Sequence, residues 1–152
     1  MIALDLDLGR LEFCRRQLGV EQTVMAGDGA LETIRELTDG DLPTVVFDAT
    51  GSSRSMHVAF HYVANGGRLV FVGLFQGDVT FHDPEFHRRE LTLLASRNAT
   101  GAELRRIIGL IESGQIDTLP WITHRAPLTE APTQFPCWLR RETGVIKAML
   151  TL

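Results

Sequence analysis

Two apolar runs constrain this chain more than any other feature. They are residues 44–51 (TVVFDATG) and residues 68–73 (RLVFVG), with a helical stretch between them. Each is rich in β-branched and aromatic residues without polar alternation, as expected of a strand buried on both faces. Strands joined through a helix pair in parallel, because a parallel pair needs a long crossover that a tight hairpin cannot supply. The pattern recurs along the sequence. Residues 2–4, 23–25 and 91–96 (LTLLAS) read as further strands. Helices are expected at 8–18 (closed by Gly19), 30–37, 52–63 (closed by Asn65-Gly66-Gly67) and 104–112 (stopped by Ser113-Gly114). The predicted fold class is therefore α/β, a doubly wound parallel sheet with helices on both faces.

Bulk properties narrow the function classes. With 152 residues, 44% hydrophobic and 22% charged, the chain is long enough to bury one real core. The net charge is −4, and the basic residues are scattered or in pairs such as Arg15-Arg16, Arg88-Arg89 and Arg105-Arg106. This gives no electrostatic footprint for nucleic acid. No apolar run approaches the roughly 20 residues of a membrane span, and no signal peptide is read at the start. Cys14 and Cys137 lie far apart without metal-ligand spacing, so a reduced, cytoplasmic chain is expected.

From Leu119 onward the character changes. Pro120, Pro127, Pro132 and Pro136, both tryptophans, a short helix candidate near 128–139 and a final strand within residues 144–152 (GVIKAMLTL) follow one another. The stretch is too apolar for a flexible linker and too irregular for another strand–helix unit. It is expected to pack on another body.

The candidate motifs differ in weight. The opening residues, MIALDLDLGR, form an apolar run closed by Asp5 and followed by a helix start. In nucleotide-binding α/β proteins such an acid normally closes the second strand, about 20 residues after a glycine-rich phosphate loop. The glycine-rich candidate inside the chain is residues 27–32 (GDGALE), which lacks the third glycine of that fingerprint and would crowd Glu32 against the strand. It reads as an ordinary loop with Asp28 as helix N-cap. His57 and His61 in HVAFH stand at i, i+4 without the Glu of a zinc-protease helix, and read as a structural or surface pair. His82 and His87, with Asp83 and Glu85, form another loose group in a loop region. FDATG and FVGLF carry more. Each ends a buried strand with a glycine, and the two ends reach the same carboxyl edge of a parallel sheet, where ligands bind.

Together these pieces resemble the cofactor half of the zinc-type alcohol dehydrogenases, the medium-chain dehydrogenase/reductase family, and within it the polyol and sugar-acid branch. IALDLDLGRLEFCRRQLG is similar to the family's second strand and helix. The resemblance puts Asp5 at the ribose-binding position and Arg10 beside the adenosine. FDATG resembles the strand-end turn beside the cofactor, giving Ala49, Thr50 and Gly51. GGRLVFVGL resembles the strand whose end backs the nicotinamide, giving Gly73, Leu74 and Phe75. LTLLASRN resembles the turn near the nicotinamide ribose, giving Ser96, Arg97 and Asn98, and the final strand brings Lys147 toward the pyrophosphate.

The departures are as specific. The family holds a catalytic zinc through Cys, His and Glu ligands in a preceding domain, and often carries a four-cysteine zinc lobe. Neither pattern is found here, nor is the first strand with its G-x-G-x-x-G loop. The resemblance thus implies the carboxyl-terminal part of a dehydrogenase, or a truncated gene product. Residues 1–118 would be a partial NAD-binding Rossmann domain, and 119–152 a segment that folds against the catalytic domain. No catalytic or metal-ligating residue is expected in this chain, and zinc would belong to the parent enzyme only. The parent would pass hydride from a small alcohol or polyol to NAD, with Asp5 favouring NAD over NADP, since a carboxylate accepts the ribose 2′-hydroxyl and repels a 2′-phosphate. NAD would bind this chain weakly or not at all. The competing readings are a non-catalytic nucleotide-binding module and a self-associating relic.

One topological expectation follows from the resemblance. In strand order 3-2-1-4-5-6, the missing strand would lie between residues 2–4 and 44–48. The chain would close that gap by direct pairing, or fill it with a strand from another molecule. At the other end the edge strand 91–96 would pair across a two-fold axis to give a homodimer.

Overall fold

The apolar runs form parallel strands in the computed structural model, which describes residues 1–152. In chain order the elements are β1 (Ile2–Asp5), α1 (Leu8–Leu18), β2 (Gln22–Met25), α2 (Ala30–Glu36), β3 (Val45–Asp48), α3 (Ser53–Val58) and β4 (Arg68–Phe71). They continue with α4 (Asp83–Arg88), β5 (Thr92–Ala95), α5 (Gly101–Glu112), β6 (Ile122–Pro127), α6 (Ala131–Trp138) and β7 (Lys147–Thr151). The chain divides into two compact units. One holds Met1–Leu6 and Val20–Asn98, the other Asp7–Gly19 and Ala99–Leu152. This division by packing differs from a single boundary after residue 118, because α1 groups with the C-terminal segment: Phe13 meets Trp121 edge-on at 5.4 Å, and Asp7 pairs with Arg141 at 3.3 Å.

The first unit contains two parallel sheets. β1 pairs with β2 from Ile2↔Gln22 to Asp5↔Met25. β4 lies between β3 and β5, with Val45↔Arg68 and Arg68↔Thr92 in register. β1 and β3 do not pair, so the expected gap is not closed by direct hydrogen bonding. Side chains hold β1 in place instead. Ile2 and Leu4 pack on Val24, Ala30, Ile34, Leu42 and Ala64, a cluster supplied by β2, α2 and the segments around β3. The second cluster surrounds Val63 and Leu69, both 0% exposed, with Ala59, Phe60 and Leu91. Burying each such leucine or valine stabilises the fold by about 1.5–3 kcal/mol. Phe60 stacks on Phe81 at 4.8 Å and meets Phe71 and Phe86 edge-on.

β3 is not buried on both faces: Val45 and Phe47 are 41% and 68% exposed, while Asp48 is buried. Side chains alternate across a strand, and only one face of β3 is covered. The helix expected over 52–63 is α3 followed by a 3-10 turn, Ala59–Tyr62. The region of His82 and His87 is not a loop throughout, since Pro84 opens α4 in the first turn, where its missing N–H costs nothing. Asp28 does not cap α2: that place belongs to Gly29, at φ 84°, with no side-chain cap.

In the second unit, α1 begins at Asp7, whose carboxylate accepts from the Gly9 and Arg10 amides at 2.8 and 3.2 Å. The Arg10 amide and then the Arg141 guanidinium hold that carboxyl below the usual carboxylate range. The helix ends at Gly19, φ 65°, in the left-handed conformation that its C-cap position favours. α5 starts with a reciprocal cap, Thr100 and Glu103 each accepting from the other's backbone. Its apolar face, Leu104, Ile107, Ile108 and Ile111, is exposed. β6 and β7 pair in parallel with a bulge between Ile122 and His124. The strand β6 has no counterpart in the expectations above, and α6 falls within the helix expected near 128–139.

Candidate functional site

The carboxyl edge of the first unit is organised by one buried acid. Asp48 is 4% exposed at the end of β3. Its Oδ1 accepts from the Thr50 amide at 2.9 Å and the Thr50 hydroxyl at 2.7 Å, an Asp-turn that folds the chain back on itself. Its Oδ2 accepts from the Ser55 hydroxyl at 2.6 Å, fixing the first turn of α3. The Thr50 hydroxyl in turn accepts from the Ser52 amide at 3.0 Å. Sequence reasoning passed over this role of Asp48, although an Asp followed by a hydroxyl residue two places on is a signal for such a turn.

The backbone of that turn is pressed against the end of β4. The Asp48 carbonyl accepts from the Val72 and Gly73 amides at 2.8 and 2.9 Å. A Cβ on Gly73 would fall 2.3 Å from the Gly51 nitrogen, and one on Gly51 only 2.9 Å from the Leu74 carbonyl oxygen. Gly51 also has φ 62°. Both glycines are therefore required by close backbone approach, and the turns at 49–51 and 73–74 form one continuous rim. β5 ends at the same edge, with the Ser96 amide donating to the Phe71 carbonyl at 2.9 Å. Ser96, Arg97 and Asn98 are exposed there, Asn98 in the left-handed region at φ 60°.

Of the residues singled out from sequence, Ala49, Thr50, Gly51, Gly73 and Leu74 are brought together, and Ser96 is tied to the end of β4. Phe75 follows on the loop after β4. Asp5 closes β1, half-buried, with its carbonyl accepting from Ala26 at 2.9 Å. Arg10, exposed in the first turn of α1, and Lys147, exposed at the start of β7, belong to the second unit.

The histidines divide. His57 Nδ1 lies 2.6 Å from the Ser53 carbonyl and its Nε2 accepts from the Thr80 amide at 3.1 Å. The two contacts anchor the loop between β4 and α4 to α3. His87 lies 3.1 Å from Asp83 on exposed α4. No three His, Cys, Asp or Glu side chains converge as a metal-holding group, so these residues do not fit a zinc site. Both cysteines are free. The rim offers backbone groups and the exposed Thr50 and Ser96 side chains, an arrangement suited to holding a polar ligand along a sheet edge.

Comparison with known proteins gives this geometry its context. Residues 1–113 match the family model described as zinc-binding dehydrogenase. The L-galactonate-5-dehydrogenase of Escherichia coli K12 is 35% identical over 118 residues, covering 78% of this chain and 35% of that protein. The D-xylulose reductase of Scheffersomyces stipitis is 25% identical over 158 residues, covering 99% of this chain and 43% of the relative. Among solved structures, an alcohol dehydrogenase from Escherichia coli CFT073, complexed with NADH, superposes with a TM-score of 0.87 at 19% identity. It covers 99% of this chain and 44% of its own, a likeness of fold. The chain therefore spans under half the length of these relatives.

Proposed function

Because the chain belongs to the zinc-binding dehydrogenase family, we propose that it supplies the cofactor-binding part of an NAD-dependent alcohol or polyol dehydrogenase. The observation that carries this reading is the glycine rim, where Gly51 and Gly73 allow two strand-end turns to touch backbone to backbone beside the end of β5. A ligand lying along such an edge meets little side-chain obstruction. NAD, when bound, supplies the hydride acceptor. In this reading Asp5 accepts a hydrogen bond from the adenosine ribose, with Arg10 beside it. Ala49, Thr50 and Gly51 flank the cofactor, Gly73, Leu74 and Phe75 back the nicotinamide, and Ser96, Arg97 and Asn98 lie near its ribose. Lys147 approaches the pyrophosphate. Residues 119–152 pack on the catalytic part, for which the exposed Leu119, Leu128, Phe135 and Leu139 supply an apolar surface. The zinc and the substrate pocket belong to that part. The substrate class is a polyol or sugar acid, as the names of the curated relatives suggest. The enzyme works in the cytoplasm; no helix here is long and apolar enough to cross a membrane.

The experiment is a cofactor-preference assay in the complete enzyme. NAD should be preferred to NADP, and Asp5→Ala should narrow that preference at least tenfold, because the carboxylate that repels a 2′-phosphate is gone. A wild-type enzyme that turns over NADP better than NAD would refute the role given to Asp5.

The same reading includes a homodimer through β5. Every residue of β5 is exposed, Leu93 and Leu94 at 38% and 46%, and its outer edge has no strand partner. Unpaired strand edges recruit partners, and a two-fold axis lets one β5 pair with another. Light scattering should report a dimer, and a Leu94→Lys variant should shift it toward monomer. Monomer alone at high concentration would rule the dimer out.

A further inference from the structure

At the amino-terminal edge of the first unit, opposite the glycine rim, lies a polar concavity of ≈ 570 Å³. Thr44, just before β3, and Asn65, just before β4, line it together with residues of α2 and α4. Three arginines line it: Arg35 of α2, Arg88 of α4 and Arg89 just after it. Arg88 is already committed, forming a two-pronged contact with Glu85 at 3.2 and 2.8 Å. Arg35 is exposed and pairs with no acid.

Arg89 is the unusual member. It is only 8% exposed, yet it pairs with no carboxylate. Its guanidinium makes one hydrogen bond to the protein, from Nη1 to the Phe60 carbonyl at 3.2 Å, and since no buried side-chain nitrogen lacks a partner, its other N–H donors reach solvent. Burial first, and then the charge of Arg88, hold this guanidinium below its usual range, with Glu85 offsetting only part of the effect. A mostly buried guanidinium keeps only part of its hydration, and an anion entering the concavity would meet its solvent-facing donors and supply a counter-charge. With Glu85 engaged by Arg88, Asp41 is the remaining acid in the lining, against Arg35 and Arg89.

From this constellation we infer that the cavity is an anion site for the phosphate group of a small phosphate monoester. Phosphate suits it better than a carboxylate does. A dianion can be shared by the planar forks of Arg35 and Arg89, whereas a monoanion is neutralised by one of them. The cavity is also far larger than a free phosphate ion, which leaves room for the organic part of the ester. The site stands apart from the glycine rim at the other end of the strands, so it neither needs nor supports the dehydrogenase reading.

The test is an amide NMR titration of the full chain with inorganic phosphate at fixed ionic strength, with ribose 5-phosphate and acetate in parallel. Saturable shifts at Asn65 and Arg89 are expected with both phosphates, with the ester at least as tight. Arg35→Gln, an exposed change, should weaken phosphate binding at least tenfold. Arg89→Gln should abolish it; because Arg89 is buried, a variant that fails to fold leaves Arg35→Gln to decide the matter. Unsaturable shifts, binding indifferent to Arg35→Gln, or acetate binding as tightly as phosphate would each overturn the assignment.

Discussion

Asp48→Ala should lower the unfolding free energy by about 3–5 kcal/mol. The side chain is 4% exposed and accepts three hydrogen bonds, from the Thr50 amide, the Thr50 hydroxyl and the Ser55 hydroxyl. Removing it strands those donors in a partly buried turn, and each unsatisfied buried group costs about 1–3 kcal/mol. Asp48→Asn separates the charge from the geometry. Its carbonyl can still accept from Thr50, and its amide can donate to a rotated Ser55 hydroxyl, so the loss should be no more than about 1–2 kcal/mol. Chemical denaturation of both variants checks the pair. Equal losses would mean that Asp48 acts through its charge and not by organising the turn.

That turn also shows where sequence reasoning succeeds and where it stops. β3, β4 and β5 were legible because β-branched and apolar residues run together without polar interruption, and Gly19 was legible because a helix end favours a residue that tolerates positive φ. Gly51 and Gly73 were visible as strand-end glycines, but their mutual contact is a fact of three-dimensional approach that spacing does not encode. β6 escaped notice because Thr123, His124, Arg125 and Pro127 lack a strand-like pattern, and its pairing with β7 is set by tertiary context. α4 has six residues, too few for helical periodicity to emerge, and Pro84 looks like a breaker until it is seen to occupy the first turn. The one-sided burial of β3 depends on what covers each face of the sheet, which no local pattern reports.

The second large effect concerns affinity. NAD should bind this chain with a dissociation constant in the millimolar range or weaker, about three orders of magnitude above a micromolar site. Dinucleotide affinity rests heavily on a glycine-rich turn whose amides, with a helix N-terminus, hold the pyrophosphate. The helix starts here are otherwise engaged. Asp7 fills the N-terminus of α1, and Ser52 caps α3, with Ser55 bound to Asp48. α2 lacks a side-chain cap, but it is seven residues long and begins at the 27–32 turn, which lacks the third glycine. Lys147 alone offers one flexible charge in place of a cradle of amides.

The most direct measurement is therefore an amide NMR titration with NAD, read residue by residue. Fast-exchange shifts are expected at Asp5, in the 49–51 and 73–75 turns and at 96–98, with saturation approached only in the millimolar range. A micromolar dissociation constant, or shifts centred on Gly27 and Gly29 instead of the Gly51–Gly73 rim, would contradict it.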